Sequence, residues 1–150
     1  LIKKAGEGDA AAKAEIALPV YIFNIDGQDV PVVPCYGAGL WGPIWGYLAF
    51  EGDMNTIEGA VFDHKGETPG LGAEIATNWF RNNFTGKKIY NAEGEFTSVK
   101  VVKGGAAEDD INGVDAISGG TITSQALEKA IKSWLEAYVP YFETLKAVEE

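Results

Sequence analysis

The sequence has one cysteine, one histidine and one arginine. Cys35 has no partner for an intramolecular disulfide, so a disulfide-stapled scaffold is excluded. His64 and Cys35 together cannot complete a zinc site made of cysteine and histidine. Arg81 alone does not make an arginine clamp for phosphate. Twelve basic residues face 22 acidic ones, for a formal net charge of −10, the wrong sign for nucleic acid or anionic lipid. Within the uncharged residues 30–50 the apolar run Gly37–Phe50 is shorter than the ~20 residues of a spanning helix, and Gly42, Pro43 and Gly46 break it. The chain starts at Leu1 rather than Met, which leaves room for an upstream signal or anchor. Cysteine usage leaves the compartment open, because a cytosolic protein and a disulfide-free extracytoplasmic one read alike.

What is present is ordinary globular composition: 150 residues, 46% hydrophobic and 23% charged. That length suits one domain with a real core. Residues 1–17 are rich in Lys, Glu and Ala and read as a helical or frayed leading segment before a domain over 18–150. No internal repeat or low-complexity tract interrupts it. Tyr21–Ile25, a turn at Asp26-Gly27, and a returning strand over Val30–Val33 interrupted by Pro31 and Pro34 suggest a hairpin. Trp45–Phe50 with Thr56–Phe62, and Lys88–Tyr90 with Phe96–Val102, suggest two more. Helical spacing appears over 73–84, with Gly86 as a stop, and over 124–138, where Pro140 ends or kinks the helix. Strands and helices do not alternate, so the expected class is α+β, an antiparallel hairpin-rich sheet with two main helices packed on it.

Several strings invite chemistry. Gly37-Ala38-Gly39-Leu40-Trp41-Gly42 satisfies G-x-G-x-x-G, but Pro43 and a β-like run follow where a dinucleotide site needs a helix. A glycine-rich loop shaping a wall is the better reading. Trp41, Trp45 and Tyr47 either stack on a flat ligand or pack in the core. His64–Gly72 places Pro and Gly densely before the first helix; it is either a connecting loop or a set of N–H groups facing an acceptor. Asp109–Asp115 begins like a calcium loop, but the register fails after Asn112, leaving a solvated acidic turn and no metal site. In Asp115–Ser124, Gly119 and Gly120 precede Thr121, Thr123 and Ser124, any of which can cap the helix that follows. The same helix start can hold a phosphate.

Ser118-Gly119-Gly120-Thr121 resembles the S/T-G-A-T flavinylation motif, with Asp115 suitably upstream. Glu67-Thr68-Pro69-Gly70-Leu71-Gly72 is similar to a second hallmark of the FMN-binding domain family, and Gly39–Gly46 resembles its aromatic loop. Three ordered motifs over about residues 18–135 are more specific than any one alone. Within the family the resemblance is to C subunits of Na⁺-translocating NADH:quinone oxidoreductases, with the G subunits of Rnf complexes, fed by ferredoxin, as the nearest alternative. Gly120 stands where the motif usually has Ala.

The resemblance implies covalent FMN, joined by a phosphoester to Thr121 through a flavin transferase that uses FAD and Mg²⁺. It implies cofactor contacts from Ser118, Gly119, Gly120 and Thr123 around the linkage, from Trp41, Trp45, Leu71 and Gly72 beside the flavin, and from Thr68 as a hydrogen-bond donor. It further implies an electron carrier with no catalytic residues of its own, partnered by other subunits of a membrane complex. The same resemblance implies that the carrier is held on the periplasmic side by an N-terminal helix absent from this chain. A non-flavinylated binding or structural module is the competing class.

Overall fold

The computed structural model of the chain describes Gly8, residues 10–15 and residues 17–148. Of the leading segment expected over 1–17, a short helix α1 (Ala10–Glu15) is described, and the rest lies outside the described residues. Four antiparallel strands follow in sheet order: β1 (Tyr21–Ile25), β2 (Gln28–Ala38), β3 (Pro43–Phe50) and β4 (Ile57–His64). A 3₁₀ turn (Gly72–Ala76) and a short helix α2 (Asn78–Asn82) come next. Two short strands, β5 (Lys100–Val102) and β6 (Gly113–Asp115), precede the long helix α3 (Thr121–Val148). The architecture is α+β, as the sequence predicts. Among the described residues no helix is long and apolar enough to cross a membrane.

The β1–β2 turn falls at Asp26-Gly27, with Ile25 opposite Gln28. The returning strand is 11 residues long and runs through both prolines, contrary to the interruption expected at Pro31 and Pro34. Pro31 pairs with Ile22 on one side, and Pro34 pairs with Tyr47 on the other. Each proline therefore has a strand neighbour on a single side, where a missing N–H need not cost a ladder bond.

Three further expectations are corrected. The helix over 73–84 is broken at Thr77, whose backbone is extended (φ −81°, ψ 154°). Its Oγ1 donates to the Glu74 carbonyl at 2.6 Å, a local bond that competes with helix continuation. The third hairpin reduces to a single bridge, Tyr90 with Phe96, and β5 instead pairs in parallel with β6. Finally, of the two outcomes expected at Pro140, the ending does not occur: α3 runs on to Val148. Proline removes one helix bond there, but Tyr138 and Phe142 are both buried and stack at 6.0 Å, anchoring the helix on both sides of it.

The core lies between the sheet and α3. Alternate residues of β3 (Ile44, Leu48, Phe50) face inward with Val33 and Cys35 of β2. They meet Leu127, Ile131, Leu135, Tyr138 and Phe142, one stripe of α3 at helical spacing. Phe62, Phe80 and Phe84 close one end, with the Phe62 and Phe84 rings 4.8 Å apart. This packing fixes the start of α3 against the loops that end β2 and follow β4.

Candidate functional site

The site is built where three loops converge on the first turn of α3. The G-x-G-x-x-G string is the end of β2 and the turn into β3: Gly39 N–H donates to the Gly42 carbonyl at 2.8 Å, and a strand follows. The dinucleotide arrangement needs a helix at that point, so the string does not form one.

Glu67 holds the three loops together. It is 4% exposed, unusual for a carboxylate. Its Oε1 accepts the backbone N–H of Trp41 at 2.9 Å. Its Oε2 accepts the Thr123 hydroxyl at 2.6 Å. Its own N–H donates to Nδ1 of His64 at 3.0 Å. Burial disfavours the charged carboxylate, but the Thr123 hydroxyl and the N–H groups of Trp41, Leu40 and Gly42 outweigh it and hold Glu67 below the usual carboxylate range. Glu67 stands at the head of the Glu67–Gly72 string, yet the sequence offers no signal that it, rather than Thr68, is the keystone. His64 is likewise tied into the loop by this contact.

Helix α3 begins at Thr121, so Thr121, Thr123 and Ser124 all lie in its first turn and none is the cap residue before it. Ser124 Oγ donates to the Gly120 carbonyl at 2.8 Å and accepts the Ile117 N–H at 3.2 Å, closing the loop onto the helix. Gly119 has φ +75°, a left-handed conformation that suits glycine. Gly120 is buried against the 67–72 loop: a Cβ there would stand 2.9 Å from the Leu71 carbonyl oxygen and 2.8 Å from Ile117 Cγ2. The N–H groups of Thr121, Ile122 and Thr123 precede the first intrahelical bond, from Ser124 N–H to the Gly120 carbonyl at 2.9 Å.

Thr121 sits between two clefts. The smaller, about 180 Å³, is lined by Trp41, Thr68, Leu71, Gly72, Gly120 and Thr123, among others. The larger, about 660 Å³, runs past Ser118 and Gly119 to Trp79, Lys103 and Asp115. Nine of the ten residues singled out in the sequence thus line one cleft or both. Trp45 is the exception. It lies on the outer face of the sheet, paired with Tyr36 and Asp63, because its neighbours Ile44 and Gly46 take the inward positions of β3. Thr123 lines the cleft, but its single hydroxyl proton is directed at Glu67. Trp41 is 68% exposed and not part of the core. Trp79 and Lys103 carry no such signal in the sequence and reach the site only through the fold. The carboxylates of Asp110 and Asp115 accept the backbone N–H groups of Asn112 and Ala106. Among the described residues no acidic, His or Cys cluster is arranged to hold a metal.

A helix start with free N–H groups, a glycine turn and clefts on both sides is suited to a ligand with a phosphate and a flat apolar part. The fold and site define a prosthetic-group-holding α+β domain. The FMN-binding domain family matches residues 39–136, from the β2–β3 turn to the middle of α3, and the chain belongs to that family.

Its relatives include the C subunit of the Na⁺-translocating NADH-quinone reductase from Haemophilus ducreyi, 40% identical over 85% of this chain and 51% of the relative. The corresponding protein from Vibrio alginolyticus is 36% identical over 85% of this chain and 49% of the relative. The chain thus spans about half the length of these curated relatives. Two crystal structures share the fold. The C subunit of that reductase from Parabacteroides distasonis matches with TM-score 0.80 and 49% identity, covering 88% of this chain and 66% of that one. The NqrC of Shewanella oneidensis matches with TM-score 0.75 and 42% identity, covering 83% and 58%.

Proposed function

We propose that residues 18–150 are the FMN-carrying domain of a C subunit of a Na⁺-translocating NADH-quinone reductase, with FMN joined through its phosphate to Thr121. The observation that carries this reading is the position of Thr121: first residue of α3, between two clefts and beside the Glu67 clamp. In the attachment, the Thr121 oxygen exchanges its proton for the FMN phosphoryl group of FAD, and AMP leaves. The base that takes the proton belongs to the flavin transferase, since no side chain among the described residues is bonded to that hydroxyl to activate it.

The residues present fit the group. A phosphodiester keeps one negative charge, which the free N–H groups of the first turn stabilise. Lys103 is the basic residue lining the larger cleft and offsets the carboxylates of Glu74 and Asp115 on the same wall. Ser118, Gly119 and Gly120 shape the turn at the linkage. Trp41 and Leu71 present an exposed apolar wall for the ring system, Thr68 stands at its edge, and Gly72 leaves room for the Glu67–Thr123 bond behind it. FMN supplies the one- and two-electron redox chemistry when bound. The chain binds and orients it, and a covalent link removes loss by dissociation.

In this reading the domain passes electrons between neighbouring redox centres of the membrane complex. It stands on the periplasmic side, anchored by a helix outside this chain.

Intact mass of the denatured protein, made with a matching flavin transferase, tests the linkage. A gain of FMN minus one water, lost in Thr121→Ala, is the expected result. No gain in either sample, with the transferase active on another substrate, overturns it.

A further inference from the structure

The end of the molecule far from Thr121 carries a second surface that the flavin reading leaves unused. β1 is an edge strand, and all five of its residues are exposed. Ile22, Phe23 and Ile25 are each more than half exposed. Natural sheets protect such edges with Lys, Pro or a covering element, because a bare apolar edge pairs with other chains. β1 contains neither Lys nor Pro. Beneath it lies a groove of about 990 Å³ between the β1–β2 hairpin, the 51–54 turn and the last turns of α3. Ile22, Ile25, Tyr141 and Leu145 supply its apolar surface, and Asp26, Asp29, Glu51, Asp53 and Glu58 its charge. Among the described residues no Lys or Arg lines it.

We propose that this groove is a docking site for a basic amphipathic segment of a partner protein, whose apolar side covers Ile22, Ile25, Tyr141 and Leu145 while its Lys or Arg residues meet the five carboxylates. Charge selects the occupant. A second copy of this chain brings the same five carboxylates and a net charge of −10. An anionic bilayer is repelled for the same reason. Asp53 and Asp29 already accept internal hydrogen bonds, from Thr56 and Asn24 respectively, so they are held in place as fixed charges. Tyr141 lies 20 residues along α3 from Thr121, about 30 Å at 1.5 Å per residue. Docking here leaves the flavin end free to face a redox partner.

The probe is a fluorescent leucine/lysine amphipathic helix, titrated against the flavinylated chain, with the leucine/glutamate helix of the same pattern as its control. The lysine peptide is expected to bind, more weakly as salt is raised, and the glutamate peptide not at all. The exposed double variant Glu51→Lys/Glu58→Lys is expected to weaken binding about tenfold, and Ile22→Ser to weaken it independently. Equal binding by wild type and both variants overturns the proposal, and so does a loss in the charge-reversed variant with none in Ile22→Ser, which reports only attraction to an acidic chain. A second arm places a photoreactive residue at position 25 in the assembled membrane complex and sequences the cross-linked peptide. A basic amphipathic segment of another protein of the complex supports the site. A second copy of this chain, lipid, an acidic segment or no product overturns it. Flavin mass on each variant is read separately, so failure of the docking site and failure of the Thr121 linkage are distinguishable.

Discussion

Replacing Glu67 with Gln isolates the clamp that holds the site together. Glutamine keeps the shape but has one acceptor oxygen, whereas the carboxylate accepts the Thr123 hydroxyl through one oxygen and the Trp41 N–H through the other. In the variant one of these donors faces an NH₂ group. A hydrogen bond to a charged acceptor is worth about 1.5–3 kcal/mol, and a buried donor left without a partner adds to the loss. The expected cost is about 3 kcal/mol, or a drop of about 6–12 °C in Tm for a chain of this size. The pH dependence has a definite sign. The folded Glu67 carboxyl titrates below its unfolded value of about 4.5. Its contribution is therefore fully present above that pH and is lost as pH falls through the folded value. Urea unfolding of wild type and Glu67→Gln across the acid range measures the gap. The gap is expected to be constant near neutrality and to shrink below about pH 4. A gap that stays the same from neutral to acid, or a loss under about 0.5 kcal/mol, would refute the clamp. A cycle with Thr123→Val should show coupling of about 1–2 kcal/mol, because the two side chains share one bond.

Gly72→Ala should destabilise by about 1–3 kcal/mol in the same urea assay, since its Cβ would stand 2.5 Å from Thr123 Oγ1 and 2.6 Å from Glu67 Oε2. A neutral result would mean that the clamp yields freely. In the flavinylated protein, the proposed placement predicts that Trp41→Ala raises flavin fluorescence several-fold by removing the indole beside the ring, while Trp45→Ala, on the outer sheet face, leaves it unchanged. Equal effects would move the flavin away from the Trp41 wall. The Cys35 thiol is fully buried and pushed up to about 12 by that burial, against the Gly46 backbone hydrogen bond. It should therefore resist a thiol reagent at neutral pH until the protein is unfolded, and rapid labelling of the native form would contradict its burial.

The sequence alone determined the helix and hairpin signals that local chemistry controls. Asp26-Gly27 specified the first turn, and the stripe Leu127–Tyr138 specified the buried face of α3. Spacing also marked the Asp115–Ser124 segment as a helix start able to hold a phosphate and the His64–Gly72 loop as able to face an acceptor. These readings needed only neighbours a few residues apart. Local patterning failed where distant partners decide. Thr77 breaks a stretch with good helical spacing, and β5 takes a parallel partner in β6 in place of the hairpin partner nearer in sequence.

The site divides in the same way. Thr121, Gly119 and Gly120 were legible as a helix start, because a glycine turn and the hydroxyl-bearing residues after it act within one turn of chain. The assignment of Glu67 to Thr123, 56 residues apart, depended on α3 packing across the sheet so that its first turn meets two loops at once. The same packing brought Trp79 and Lys103 to the cleft and left Trp45 outside it. A residue's type and spacing determine what it can bond. Which long-range partner it meets is decided by the burial of the core, the larger energy, and that is a property of the folded chain alone.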